Sequence, residues 1–355
     1  MIQSQISRGV PWTRTVGAIV LAVLGSFIVL WLSHANPFQA WSALISGAFF
    51  STLGIGTTLA DSLPLMLVGI GVALSFQAGL VNIGGEAQYV VGSIAAGLAG
   101  IAFAHMFGPL HVAVALLASM VAGGMLGALP GILKAYLNVN EIVSTLMFSY
   151  ASLAFANYLL AGGPMQVSPG LQQSANIAPG AVIPHLLHGT TLSWAILLAP
   201  AAALATAWFL RRTRTGFSIR MMGQNLRAAQ YAGVPVGALT VVAFTLAGAL
   251  CGLGGGAQVL GNFHTVYDSF TDNYGFTGFV VALMARNNPW GCLVVSLLFG
   301  ALESGGSAMQ AATGVTSAMV DVVGGLIIFF IAADRIVAWL LERRRGEGRS
   351  QEVGA

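Results

Sequence analysis

Long apolar runs separated by short polar breaks set the pattern of this chain. Crossing hydrocarbon takes about 20 apolar residues in a helix. Runs near that length occur at 15–33, 57–78, 88–104, 111–133, 142–160, 190–210, 237–259, 276–286, 291–309 and 315–333. The eighth is too short to cross alone, so part of 260–275 is expected to dip into the membrane. Segment 38–50 follows Pro37 and is shorter still. It reads as an interfacial helix with Trp41 in the aromatic belt. The pattern predicts an all-α polytopic membrane protein of about ten transmembrane helices. Weak echoes suggest an inverted repeat of spans 2–5 and 7–10 after an extra N-terminal span, an arrangement that places a substrate path at the repeat interface. The stripe Gly123, Gly127, Gly131 has a counterpart in Gly248, Gly252, Gly256. IGGEAQYVVG (83–92) resembles LGGGAQVLG (253–261), and NVNEIVSTLMF (138–148) resembles GVTSAMVDVVG (314–324).

Composition and charge fix the class and the orientation. Of 355 residues 56% are hydrophobic and 7% charged, against about 25% charged in soluble domains. With ten spans and both termini inside, all 14 Lys and Arg residues fall on the cytoplasmic side, as the positive-inside rule requires. An extra span at 38–50 would scatter them. The basic balance therefore reports topology, not nucleic-acid binding. One permease domain is expected over 1–355: cytoplasmic 1–14, a first half over 15–160, an outer loop 161–189, a linking span 190–210, a cytoplasmic loop 211–235, a second half over 236–333 and a cytoplasmic tail 334–355. The first run is too long for a signal-peptide core and reads as a retained span. Cys251 and Cys292 lie in apolar runs without metal or disulfide spacing. GxxxxGK[ST] and HExxH are both absent, so neither a cofactor nor catalysis by this chain is expected.

The loop 211–235 concentrates five arginines, Arg211, Arg212, Arg214, Arg220 and Arg227. Each would cost roughly 2.5–3.5 kcal/mol at the bilayer centre, so the loop is aqueous. A plain topology anchor needs charge alone. Here Gly216 and Gly233 bracket a stretch expected to form one helix of about four turns. Its apolar stripe, Ile219, Met222, Leu226 and Ala229, would seat in a partner's cleft, rimmed by Arg220, Gln224 and Arg227. Gly223, Asn225 and Ala228 belong to the same docking element.

Polar residues within the apolar runs are the candidate solute path. Asn82, Glu86 and Gln88 stand among Gly79, Gly84 and Gly85, which permit a non-helical break. Such a break is tolerated at membrane depth only when buried in protein or lining a cavity; the alternative is a cytoplasmic turn. Asn140, Glu141 and Ser144, with Asn138 and Thr145, open the fifth run, where Asn140 could equally be a helix cap. Asp321 holds the corresponding place in the second half. Phe263, with Asn262, His264, Tyr267, Phe270 and Tyr274, forms an aromatic and polar run. It suits a planar uncharged heterocycle, or equally an interfacial belt.

Residues 57–333 resemble the permease subunits of ATP-binding-cassette importers of the branched-chain amino acid and simple-sugar permease superfamily, in its nucleoside/purine-type branch. The likeness is carried by GVALSFQAGLVNIGGEAQ (71–88), NVNEIVSTLMFSYAS (138–152), GQNLRAAQYAGV (223–234), VALMARNNPWG (281–291) and GVTSAMVDVVGGLIIFF (314–330). Arg227-Ala228-Ala229-xxx-Gly233 is similar to the importer coupling motif E-A-A-x3-G, with Arg in the acidic position. The resemblance implies a multi-pass subunit of the bacterial cytoplasmic membrane with a cytoplasmic ABC ATPase subunit, a second, non-identical permease subunit and a substrate-binding lipoprotein as partners. ATP hydrolysis would belong to the ATPase. The implied solute is a small molecule, first a nucleoside or purine derivative, with simple sugars and branched-chain amino acids as alternatives. An ion-coupled secondary transporter using Glu86, Glu141 and Asp321 is the rival from another class; it leaves the capped basic loop unexplained.

Overall fold

The computed structural model describes residues 23–329 apart from 34, 169, 188, 268 and 269. The cytoplasmic segments expected at 1–14 and 334–355, the terminal parts 15–22 and 330–333 of the first and tenth runs, and Asp268 lie outside the described residues. The regular elements that are described are all helical. They are α1 (Val23–Leu32), α2 (Pro37–Phe49), α3 (Thr52–Gln77), α4 (Gly85–Ala102), α5 (Gly108–Leu137), α6 (Glu141–Leu160), α7 (Leu198–Arg212), α8 (Arg214–Gln224), α9 (Leu226–Tyr231), α10 (Val236–Gln258), α11 (Tyr274–Met284), α12 (Pro289–Thr313) and α13 (Ser317–Phe329). A 3-10 turn, Trp194–Leu197, leads into α7, and a π turn, Val259–Phe263, extends α10.

Among the described residues six helices are long and apolar enough to cross a membrane: Thr52–Gln77, Gly108–Leu137, Glu141–Leu160, Trp194–Arg212, Val236–Phe263 and Pro289–Thr313. The runs at 88–104 and 276–286 become α4, of 18 residues, and α11, of 11. The second arm of the proposed echo, 253–261, is helical throughout and joins α10 to the π turn, whereas 83–92 begins in a break. The non-helical stretch after α10 comes later, at 264–273.

The chain forms two compact units. In the unit made of the residues before 55 and after 301, Leu30, Ala40, Leu44, Met309, Val315, Val323 and Ile327 share a core. Asn36 caps α2, whose Pro37 sits in the first turn, where a missing N–H costs nothing. Trp41 donates its indole N–H to the Ser26 hydroxyl at 3.0 Å. At 13 residues α2 is about 20 Å long, short of the hydrocarbon thickness.

The second unit, 55–301, is built around backbone contact between helices. The two glycine stripes read in the sequence face each other. A Cβ on Gly123 would collide with the Gly248 carbonyl, one on Gly127 with the Phe244 carbonyl and one on Gly252 with the Ser119 carbonyl. Advancing along α5 moves back along α10, so the pair is antiparallel. α4 joins from the other side, where Gly92 meets Gly252 and Gly255 meets Tyr89 and Ser93. Buried α3 runs alongside, with Leu67, Val68, Ile70, Val72 and Ala73 all at 0% exposure. Its Gly71 admits the Ala247 carbonyl of α10.

Basic residues collect at one end of this unit. The C-terminus of α5, α8–α9 and the α11–α12 turn lie there, with all seven described Lys and Arg residues. At the opposite end the loop 161–193 is pinned to 260–266 through Ser174–Val266, Ile177–His264 and Ile183–Leu260 backbone bonds.

Gly252→Val should lower stability by about 1–3 kcal/mol, the usual cost of forced overpacking. Thermal-shift measurements on the detergent-extracted protein would read this. Gly324→Ala, with open space around its position, should leave the midpoint unchanged or slightly raised.

Candidate functional site

α3 ends because Gly79 takes φ +75 and turns the chain. The Gly79 amide bonds to Phe76 and the Leu80 amide to Ser75, a Schellman closure. Residues 78–84 are then non-helical, as the glycines suggested, and their backbone polar groups need partners. Asn82 and Thr145 supply two of these. Asn82 Oδ1 accepts the Gly84 amide at 2.9 Å, and Thr145 Oγ1 on α6 accepts the Ile83 amide at 3.4 Å. Asn82 Nδ2 donates to Gln88 Oε1 at 3.2 Å. Asn82, Glu86 and Gln88 are brought together, but all three are buried and neither cavity described below reaches them. Their geometry maintains the break.

Glu86 joins the break to the start of α11. The Gly275 amide donates to Glu86 Oε2 at 2.7 Å, and the Thr271 side chain and Phe276 amide also face the carboxylate. Oε1 is buried without a hydrogen-bond partner. A carboxylate here complements the positive end of α11. Only glycine fits at 275, since a Cβ would strike the Glu86 amide. Upstream of this contact the chain runs down α4: Val266 lies on Gly97, and Phe270 and Tyr274 lie on Tyr89. Ring centroids are 6.2 Å apart for Tyr89–Phe270, 5.7 Å for Tyr89–Tyr274 and 6.3 Å for Tyr267–Phe270.

A cavity of ≈ 330 Å³ opens beside these rings. Tyr267, Phe270, Thr271, Asp272 and Asn273 form one wall, and α6 contributes Leu153, Asn157 and Leu160 to the other. Asp272 carries no ion pair or hydrogen bond among the described residues, and no basic side chain lines the cavity. Phe263 packs edge-on to Tyr267, one step behind the wall. Sequence reading placed the aromatic run here but did not single out Asn157, Thr271 or Asn273. The turn-forming string Thr271-Asp272-Asn273 before an apolar run was the available signal.

At the basic end lies a second cavity of ≈ 550 Å³, bordered by Gly79, Lys134, Glu141, Gly223, Gln230 and Thr240 among others. Glu141 pairs with Lys134 at 2.9 Å. Asn140 is exposed and caps α6 by accepting the Ile142 amide at 2.9 Å, so its local role is the cap. Ser144 bonds back to the Glu141 carbonyl. Asp321 is exposed on α13 in the other unit.

The basic loop differs from its expected single helix. Asn225 leaves helical geometry at φ −153, ψ 100, ending α8 and capping α9 through the Ala228 amide at 3.1 Å. Ile219, Met222 and Ala229 turn inward to a core with Leu74, Ala78 and Leu80. The stripe therefore seats the loop on its own protein. Phe217, Leu226, Arg227, Ala228 and Tyr231 remain exposed, Tyr231 at 93%. Gly216 closes the α7–α8 turn against Phe209 and Leu210. Arg220 Nε is buried without a partner. Gly233 has open space around it, so its requirement is φ +76 in another Schellman closure, not room. Gly223 is different: a Cβ there would meet the Gln77 carbonyl, with Gly79 facing it.

A family described as the permease component of branched-chain amino acid transport systems matches residues 54–332. The chain belongs to this family. Its relatives include the guanosine ABC transporter permease protein NupP of Bacillus subtilis, 32% identical over 93% of this chain and 96% of that one. The glucose ABC transporter permease protein TsgB13 of Haloferax volcanii is 32% identical over 93% and 90% of the two chains. The nucleoside ABC transporter permease protein NupB of Lactococcus lactis is 31% identical over 92% of each. No solved structure matches the chain. In this permease the break, the aromatic wall and both cavities all lie inside the matched span.

Asn82→Ala would leave the buried Gly84 amide unpaired, a loss of about 1–3 kcal/mol. A lowered thermal midpoint together with reduced uptake is expected. An unchanged midpoint would show that the break is held by other groups.

Proposed function

We propose that this chain is the membrane-spanning permease subunit of an ATP-driven importer and that its solute is an uncharged nucleoside. The observation that carries the solute reading is the ≈ 330 Å³ cavity, whose described lining offers aromatic faces, amide and hydroxyl groups and the Asp272 carboxylate but no cation. A planar base can lie against Tyr267, while ribose hydroxyls donate to Asp272 and the amides of Asn157 and Asn273 complete the set. An amino-acid carboxylate or a phosphate would meet Asp272 with no positive partner. The names of NupP and NupB favour nucleosides, and that of TsgB13 keeps a neutral sugar as the second reading. Asp272→Ala should reduce nucleoside uptake at least about ten-fold, the worth of one hydrogen bond to a charged group. The ATPase rate of the assembled complex should be retained. Uptake equal to wild type would remove the solute from this cavity.

The chain crosses ten times with both termini in the cytoplasm, a reading supported by the collection of described basic residues at one end of the larger unit. The runs that include α1, α4, α11 and α13 supply the other four crossings. The ATPase docks on the outward face of α8–α9, the second and non-identical permease subunit completes the path, and a lipoprotein delivers solute on the side of loop 161–193.

Two measurements follow from this arrangement. On a background with Cys251 and Cys292 replaced by serine, Leu171→Cys should react with an impermeant thiol reagent in intact cells and Tyr231→Cys should not. The reverse pattern would invert the topology. Tyr231→Ala combined with Ala228→Glu should weaken ATPase co-purification by roughly thirty-fold, as loss of an aromatic anchor worth about 2 kcal/mol predicts. Full retention would move the docking surface elsewhere.

A further inference from the structure

The break between α3 and α4 is bridged by a helix that comes from another part of the chain. α11 packs along α3 in parallel: Gly278 lies on Val68, Gly69 on Val281, and Phe76 and Phe279 have ring centroids 5.4 Å apart. At its C-terminus, Gln77 Nε2 donates to the Asn287 carbonyl at 2.9 Å. Gln77 is the last residue of α3 and Asn287 lies in the turn after α11. At its N-terminus, the Gly275 amide is held by Glu86 at the start of α4. The helix is about 16 Å long, and residues 78–85 can extend over that distance. The two ends of the break are therefore tied to the two ends of α11.

We infer that α11 is a splint that makes α3 and α4 move together, with Gln77 and Glu86 as its positioning residues. The splint links two places already described. Gly223 of α8 rests on the backbone of Gln77–Gly79, so displacement of α8 by a bound ATPase bears directly on the end of α3. Thr271–Asn273, a wall of the ≈ 330 Å³ cavity, lead straight into the other end of α11. Without the splint, seven non-helical residues would absorb the displacement before it reached α4 or the cavity wall. With it, α3 and α11 act as one body gripping α4 at Glu86.

This inference rests on the ATP-driven reading, and the experiment separates the two. The complete transporter, reconstituted with its ATPase and binding protein, is assayed for solute moved per ATP hydrolysed. Gln77→Met keeps the side-chain length but has no donor. It should lower that ratio by roughly ten-fold, within the usual range of coupling energies, while ATPase co-purification and ATP hydrolysis stay at wild-type levels. Gln77→Lys, which restores a donor, should recover the ratio. Glu86→Gln, which retains an acceptor for Gly275, should stay near wild type, and Glu86→Ala should resemble Gln77→Met. A purely structural role would reduce hydrolysis and uptake together. Should Gln77→Met fail to accumulate, hydrogen exchange on the wild-type complex reads the same link: protection at 78–84 and 274–284 must change together between nucleotide-free and ATP-bound states. An unaltered ratio in Gln77→Met, or a change at 78–84 with 274–284 unmoved, overturns the splint. Wild-type uptake without ATP would instead overturn the importer reading.

Discussion

Gly252 occupies the crossing of α4, α5 and α10, where no side chain fits on any of the three helices. Lipid offers little hydrophobic drive for helix association, because its tails are as apolar as leucine. Cohesion must come from dispersion between surfaces brought very close, and glycine permits the closest approach. Gly92, Gly123 and Gly252 meet backbone to backbone at this point. The position of α4 follows from that contact, and with it the depth at which Glu86 and Tyr89 stand. The aromatic wall is placed by Tyr89, and the start of α11 by Glu86. Thus the polar chemistry of the larger unit depends on a contact without side chains.

The same contact explains what could be read in the sequence. Glycine at every fourth position needs no tertiary information to be recognised, and both stripes on α5 and α10 lie where the pattern put them. Helix boundaries on the long runs fall within a few residues of expectation, since hydrocarbon thickness sets their length. The break at 78–84 was legible from Gly79, Gly84 and Gly85. Partner assignment was not. Asn82 and Gln88 read as lining because they are polar; the structure places them buried and bonded to each other, with Asn82 also bonded to Gly84. Likewise the stripe Ile219, Met222, Ala229 has helical spacing whether it faces a foreign cleft or its own core. Spacing identifies a buried face without saying what buries it.

Short elements were the hardest to place for a related reason. α11 was legible as the run 276–286, but its N-terminal partner, Glu86, is 189 residues away in the chain. Non-local pairing of this kind leaves no periodic trace. The cavity wall at 270–273 shares the problem, since its shape is set by the return of the chain along α4 and not by its own composition.

Arg286 shows what such a short helix needs in order to be made. It follows α11 at φ 53, in a turn closed by Arg286–Leu283 and Asn287–Ala282 bonds, where glycine would relieve roughly 1–2 kcal/mol of strain. The arginine nevertheless stands there, between an 11-residue apolar helix and the 25 residues of α12. During synthesis α11 follows α3 and α4, the helices it packs against, but it has too little apolar length of its own to set its direction in the bilayer. A fixed positive charge stands at its trailing end, where the positive-inside rule gives such a charge orienting power. The strained turn of the finished fold thus carries a charge of the kind that orients membrane segments too short to orient themselves.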